Sequence, residues 1–211
     1  KNVSYVFHLA GIGDIVPSIE NPQKYMNTNI QGTINVLEAS RFSGVKRFIY
    51  AASSSCYGIT DPNIPSSENS KIDPQYPYAF SKYIGELTVL HWSKVYKIDV
   101  NIMRIFNAYG PRVRTTGAYG AVFGVFFKQK LLKLPLTVVG DGNQKRDFVY
   151  VSDVAKAFYL AAKSGYKNRI YNIGTGKPKK INFLVKLLKS KKNYIPNRPG
   201  EPRSTWANIS R

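Results

Sequence analysis

Arg47-Phe-Ile-Tyr-Ala-Ala-Ser-Ser-Ser55 is the stretch whose reading decides the fold. Arg47–Ala52 is short, apolar and rich in residues that suit a buried strand, and it stops abruptly in serines. Working outward, Asn29–Phe42 reads as a helix with Ile30, Ile34 and Leu37 on one side. Val3–Ala10 ahead of it reads as another strand. On the other flank, a loop rich in Pro, Asn, Ser and Asp covers 59–75. Pro77–Tyr96 then reads as a helix, with Tyr83, Ile84, Leu87 and Leu90 expected to face inward. Val100–Phe106 is the next strand, followed by the turn Asn107-Ala-Tyr-Gly-Pro-Arg112. Apolar strands alternating with amphipathic helices predict an α/β fold, a doubly wound parallel sheet of Rossmann-like type.

Beyond that unit the pattern is less regular. Ala121–Leu132 reads as a helix, Leu136–Val139 as a short strand and Gly140-Asp-Gly142 as a turn. A further helix begins at Ser152-Asp153, with Ser152 as its cap and Val154, Ala157, Phe158 and Ala161 in helical register. Arg169–Ile173 is a strand closing on Gly174-Thr-Gly176. The segments after Gly110 and after Gly176 read as insertions that form a small lobe above the sheet. The expected division is residues 1–106 and 148–175 for the sheet domain, and 107–147 with 176–211 for the lobe. Lys1–Ala10 reads as an internal segment entering a strand, so a chain cut at its amino end, and at the other end too, is expected.

Composition narrows the function classes. The 211 residues are 43% hydrophobic, which suits a folded globule. No run of about 20 apolar residues is present, so no membrane span is expected. The single cysteine, Cys56, precludes an intrachain disulfide and suits a reducing, cytoplasmic setting. A formal charge of +19 favours anionic partners. The lysines are dispersed, however, and the 186–192 cluster shares a helix with Leu184, Leu187 and Leu188, where it reads as a solvated face. No nucleic-acid motif accompanies them, and nucleic acid is not an expected partner. His8 and His91 lack ligand spacing, so no metal site is expected; His8 reads as a packing or hydrogen-bonding group at a strand end. Cys56 reads as a small packing residue, and Asp153 as a helix-start residue.

Ligands of open parallel sheets bind beyond the carboxyl ends of the strands. Ala10-Gly11, Ser53–Ser55 and Asn107 all fall at such ends. Tyr78-Ala-Phe-Ser-Lys82 follows the serines. A tyrosine and a lysine four apart on a helix project from one face. Pro77 suits the first helical position, which puts Tyr78 in the opening turn. A free phenol has a pKa of about 10; a neighbouring ammonium and the positive end of a helix are expected to favour its phenolate. A strand-end serine is then placed to hold the oxygen whose proton the phenolate takes.

Taken in order, these residues resemble the extended short-chain dehydrogenase/reductase family, and within it the nucleotide-sugar epimerases. The resemblance runs through Phe7-His-Leu-Ala-Gly11, Asn29-Ile-Gln-Gly-Thr33, Gly44-Val-Lys-Arg-Phe48, Tyr50–Gly58 and Tyr78–Lys82. It continues through Arg104–Arg112, Gly140-Asp-Gly142, Arg146–Asp153 and Tyr171-Asn-Ile-Gly174. It implies bound NAD, a UDP-hexose substrate and epimerisation at C4 through a transient 4-keto sugar. By position it implies Tyr78 as the base, Lys82 as the group that lowers its pKa and holds the nicotinamide ribose, and Ser53 on the sugar hydroxyl. Leu9, Ala10, Gly11, Thr28, Asn29, Ala51 and Phe106 fall at positions near the dinucleotide. Ser54, Ser55, Asn107, Ala121, Val122 and Val139 fall around the nucleotide sugar. Arg146 and Arg198 match the pair that clamps its diphosphate, a task suited to guanidinium forks; ion pairs of Arg146 with Asp147 or of Arg198 with Glu201 are the alternative. Thr205 matches a position near the sugar 2-substituent, where a small side chain leaves room for an acetamido group; packing beside Trp206 is the alternative there. The resemblance further implies a homodimer, paired through Asn29–Phe42 and Pro77–Tyr96 as a four-helix bundle.

Three departures accompany the matches. The glycine-rich phosphate loop of the family is not in this chain, so the sheet is expected to be incomplete at its N-terminal side and to hold NAD poorly alone. Ile105 stands where many 4-epimerases carry tyrosine, and Gly13 where lysine can stand. Ser54-Ser55-Cys56 lacks the carboxylates that mark related dehydratases and decarboxylases at the strand end. A reductase, dehydratase or UDP-glucuronate epimerase, or a non-catalytic NAD(P)-binding module, stays open as an alternative; the last is opposed by retention of the Ser-Tyr-Lys set.

Overall fold

The computed structural model describes residues 3–115, 122–197 and 201–211. In chain order, β1 (Tyr5–His8) leads to two short helices, α1 (Ile15–Glu20) and α2 (Pro22–Met26). A π-helical turn at Asn27–Gln31 runs directly into α3 (Gly32–Phe42). Next come β2 (Arg47–Ser53), a 3₁₀ turn at Ser54–Tyr57, α4 (Pro77–Tyr96) and β3 (Asp99–Ile105). The second half holds β4 (Asn107–Tyr109), α5 (Val122–Leu131), β5 (Leu136–Val139), β6 (Lys145–Arg146) and β7 (Phe148–Tyr150). It ends with α6 (Val151–Lys163), β8 (Arg169–Ile173), β9 (Lys179–Lys180), α7 (Ile181–Leu188), β10 (Lys192–Ile195) and β11 (Ser204–Thr205).

The main sheet has the order β1-β2-β3-β8, all parallel, with Phe48 beside Val100 and Tyr50 beside Ile102. Every residue of β2 is buried, because helices cover both faces of a parallel sheet. Phe48, Tyr50 and Ala52 point into one apolar cluster with Leu37 of α3 and Val89 of α4. Ile49 and Ala51 point the other way, against Val154, Phe158 and Ala161 of α6. This two-residue alternation makes the sheet doubly wound. A third cluster, with Phe126, Leu136, Val138, Leu184 and Val185, packs α5 and α7 on β5, which pairs with β10. No helix among the described residues is long and apolar enough to cross a membrane.

Several local expectations need correction. Of the residues of α4 expected to face inward, Tyr83 and Leu90 are partly buried and pack on apolar clusters, Ile84 is half-buried and Leu87 faces out. The buried residues of α4 are Ala79, Ser81, Lys82, Gly85, Glu86, Val89 and Ser93. The cause is a polar network. Glu86 receives Arg104 Nε at 3.0 Å and Nη2 at 2.5 Å, which draws the charged side of the helix onto β3. Ser152 does not cap α6: Tyr150 occupies the cap position without a side-chain hydrogen bond, and the helix starts one residue before Ser152. Leu187 likewise lies exposed, although Leu184 of the same helix is buried. His8 does hydrogen-bond, through Nε2 to Thr33 Oγ1 at 3.0 Å.

Candidate active site

Three strand ends and the start of α4 meet above the sheet. Pro77 opens α4 and Tyr76 precedes it in extended conformation, so Tyr78 sits in the first turn with Lys82 one turn on. β2 delivers Ser53 at its last position. Ser53 Oγ accepts from Ser55 Oγ at 2.8 Å and from Ser55 N–H at 3.2 Å, so the serine turn fixes its rotamer. Tyr78 also hydrogen-bonds with Ser53. The catalytic trio expected from the sequence therefore converges.

Two cavities adjoin these residues. The larger, about 400 Å³, is lined by Ser53–Ser55, Tyr78, Asn107, Val122, Val139, Arg146 and Thr205 among others. The smaller, about 240 Å³, is lined by Leu9, Gly11, Ala51, Ser53, Tyr78, Lys82 and Phe106. Ser53, Tyr78, Ile105 and Phe106 belong to both. The hydroxyl pair thus stands on the wall between the two spaces. The residue types of the smaller cavity fit the reactive end of a dinucleotide. A Cβ at Gly11 would lie 3.0 Å from Asn29 Oδ1 and 3.7 Å from Lys82 Nζ, inside the space that glycine leaves open.

The other expected cofactor positions stand differently. Ala10 and Thr28 are exposed and line neither cavity. Asn29 is buried behind the loop after β1. It accepts from Ile12 N–H at 2.8 Å and donates to Ile12 C=O at 3.0 Å and to Ser81 Oγ at 2.9 Å, which ties that loop to α4. Ala121 and Arg198 lie outside the described residues.

The electrostatics depart from expectation. Burial raises the Tyr78 phenol above its ordinary value, the Ser53 hydrogen bond opposes this, and the Asp14 carboxylate adds to the rise. Lys82 is buried as well. Its ammonium lies 4.5 Å from the centre of the Tyr50 ring, and burial pulls it down to about 8. Burial thus disfavours the ionised form of both groups.

Arg146 is buried and its Nη2 pairs with Glu201 at 2.7 Å, while Nη1 donates to the carbonyls of Lys145 and Pro202 at 2.8 and 2.9 Å. Its alternative partner Asp147 is engaged elsewhere. That carboxylate accepts from the N–H groups of Thr175, Gly176 and Ala207 at 2.7, 2.9 and 3.0 Å. Thr205 Oγ1 donates to Asn107 Oδ1 at 2.7 Å, tying β11 to the start of β4. Cys56 is buried, and that burial pushes its thiol up to about 12, as suits a packing residue. Sequence reading missed Asp14, Gln75, Tyr76 and Glu201, which also line the larger cavity. None belongs to a periodic pattern, and an aspartate just before a helix reads as a cap.

The structure is a parallel α/β sheet with Ser53 and Tyr78 on the wall between two cavities and Lys82 lining the smaller one. The chain matches the NAD dependent epimerase/dehydratase family over residues 1–174, and it belongs to that family. It is 40% identical to a Methanocaldococcus jannaschii protein described as a candidate UDP-glucose 4-epimerase, over 90% of this chain and 61% of the relative. It is 35% identical to the UDP-glucuronate 4-epimerase of Thermodesulfobacterium geofontis, over 100% of this chain and 65% of the relative. It superposes on the UDP-N-acetylglucosamine 4-epimerase from Methanobrevibacter ruminantium M1, solved with UDP-N-acetylmuramic acid, with a TM-score of 0.93. That match is 34% identical and covers 98% of this chain and 68% of the other. The chain thus spans less than two thirds of the length of these two sequence relatives.

Proposed function

We propose that the protein is an NAD-dependent 4-epimerase of a UDP-hexose. The observation that carries this is the shared wall: Ser53 and Tyr78 face both cavities at once. A group so placed can move a proton on the sugar oxygen while hydride crosses to the neighbouring space. Tyr78, ionised, takes the proton of the C4 hydroxyl, and Ser53 holds that oxygen. Bound NAD would accept the C4 hydride and return it to the other face of the resulting ketone. Lys82 and the small residues Gly11 and Ala51 would hold the nicotinamide ribose end, with Leu9 and Phe106 flanking it. A cationic cofactor ring beside Tyr78 is the charge that would bring the raised phenol into a working range.

Turning the ketone over needs a loose grip on the sugar and a firm one on the diphosphate. Arg146, with Arg198, is assigned to the diphosphate, so Glu201 must yield Arg146 or share it. Asn107, Val122, Val139 and Ala121 are assigned to the nucleotide, and Ser54 and Ser55 to the sugar. Thr205 leaves space for a 2-acetamido group. Two copies are proposed to pair through α3 and the outer face of α4, where Phe80, Leu87 and Val95 are exposed; a monomeric sedimentation profile of the complete protein would oppose this. The free, buried Cys56 suits a cytoplasmic setting.

The test supplies NAD to the complete gene product and offers UDP-glucose and UDP-N-acetylglucosamine separately, with C4 epimers separated by chromatography. Interconversion is expected, and Tyr78→Phe is expected to lower it by about 10²–10⁴-fold. Turnover of UDP-glucose alone would overturn the Thr205 reading. Absence of epimers from both would overturn the reaction.

A further inference from the structure

The loop between β1 and α1 holds an aspartate where backbone sterics favour glycine. Asp14 has φ 85° and ψ 127°, outside the regions that side chains with a Cβ ordinarily adopt. Such outliers persist where the surroundings over-determine them, and they gather at functional sites. The usual reason for an aspartate before a helix is capping, yet Asp14 makes no side-chain cap hydrogen bond to α1. Its carboxylate instead receives Arg114 Nη1 at 2.7 Å, from the loop after β4. The Arg114 side chain is 65% exposed, so the pair contributes little to stability. A strained residue whose main contact stabilises little calls for another explanation.

Its position supplies one. Asp14 lines the larger cavity together with Ile15, Ser53–Ser55 and Tyr78. The loop is held there because Tyr25 Oη donates to Gly13 C=O at 2.5 Å, and the Tyr25 ring meets Tyr78 edge-on at 6.4 Å between centres. Asp14 therefore faces the reacting end of the cavity. Among the described residues, the other charged groups lining the cavity, Arg146 and Glu201, pair with each other. We propose that Asp14 is a specificity-determining residue: it engages Arg114 and presents its own carboxylate, so that the site takes an uncharged hexose and rejects a hexuronate.

This rests on the nucleotide-sugar reading above and narrows its substrate class. A sugar carboxylate entering beside Asp14 meets a like charge and must compete for Arg114; an uncharged sugar incurs neither cost, and its hydroxyls can donate to Asp14. Specificity built from repulsion as well as attraction has this form.

The test uses the complete protein with NAD and measures affinity for UDP, UDP-glucose and UDP-glucuronate by calorimetry, with turnover of both sugars. The wild type is expected to favour UDP-glucose. Asp14→Asn keeps the shape and frees Arg114; it is expected to shift the ratio of the two sugars by about tenfold towards the uronate, the scale of one partly screened charge contact. Adding Arg114→Met should remove that gain. UDP affinity reports whether each variant keeps an intact site, and a ratio within one variant is independent of how much of it folds. An unchanged ratio in Asp14→Asn, or a wild type that favours UDP-glucuronate, overturns the proposal. Binding of UDP-sugars with the expected ratio but no epimerisation sinks the reaction and leaves the charge selection standing; no UDP-sugar binding at all overturns both.

Discussion

Replacing Glu86 by glutamine should destabilise the protein more than any surface change, because it strands a buried guanidinium. Arg104 and Glu86 have side chains only 3% and 2% exposed. The two-point contact at 3.0 and 2.5 Å satisfies Nε and Nη2, while Nη1 donates to Tyr57 Oη and Glu68 C=O, both at 3.0 Å. Its partners hold the guanidinium charged, with its pKa raised against the pull of burial. In Glu86→Gln the cation stays, its counter-charge is gone and the amide N–H₂ faces one of the two guanidinium donors. Removing one member of such a pair costs about 3–5 kcal/mol, set against a total stability of about 5–15 kcal/mol. The assay is urea unfolding of wild type and variant, compared at equal slope. The double variant Glu86→Leu/Arg104→Met separates a lost ion pair from lost packing. Removing both charges together should recover most of the deficit, since desolvating the pair offsets much of its attraction. A Glu86→Gln loss under about 1 kcal/mol would refute the reasoning, because it would place the pair in the range of exposed ion pairs. The pair joins α4, which carries Tyr78 and Lys82, to β3, whose end carries Ile105, so partial loss of activity should accompany the loss of stability.

Lys82 makes a pH-dependent contribution of known sign. Its pKa falls from 10.5 unfolded to about 8 folded, so between those values the unfolded chain binds more protons and stability rises with pH. The gain through that window is about 3 kcal/mol, and Lys82→Met should flatten that limb of the unfolding profile; a wild-type curve with no rise above pH 8 that the variant lacks would contradict the burial argument. Gly85→Ala places a Cβ 2.2 Å from Tyr50 Oη, and Tyr50 is fully buried. It should cost about 1–3 kcal/mol in urea unfolding, with partial recovery in Gly85→Ala/Tyr50→Phe, where the colliding oxygen is gone; equal losses in both variants would point to a backbone cause instead.

The parts of the fold that could be read from sequence are those where burial imposes a pattern. β2 is buried on both faces and so reads as an unbroken apolar run, and α4 was bounded correctly because Pro77 marks its first turn. What the apolar pattern hid was which face of α4 turns inward. Periodicity alone selects Tyr83, Ile84, Leu87 and Leu90. Tyr83 and Leu90 do pack on apolar clusters, but the fully buried side holds Lys82 against a ring, Gly85 against Tyr50 and Glu86 against Arg104. Each contact needs a partner from a distant strand, which no local window contains. The stretch from Ile15 to Met26 gave no helical signal because prolines at 17 and 22 break its periodicity, yet Pro22 simply opens α2. The site divides in the same way. Ser53, Tyr78 and Lys82 occupy positions set by strand ends and helix turns, so they could be located. Asp14 and Glu201 take their meaning from Arg114 and Arg146, 100 and 55 residues away in the chain. The electrostatics of Tyr78 follow the same rule. Spacing places an ammonium one turn along the helix, but only the packed structure shows that Lys82 is itself desolvated. Burial raises Tyr78 and lowers Lys82 alike, and the residues that desolvate them come from distant strands that no local window contains.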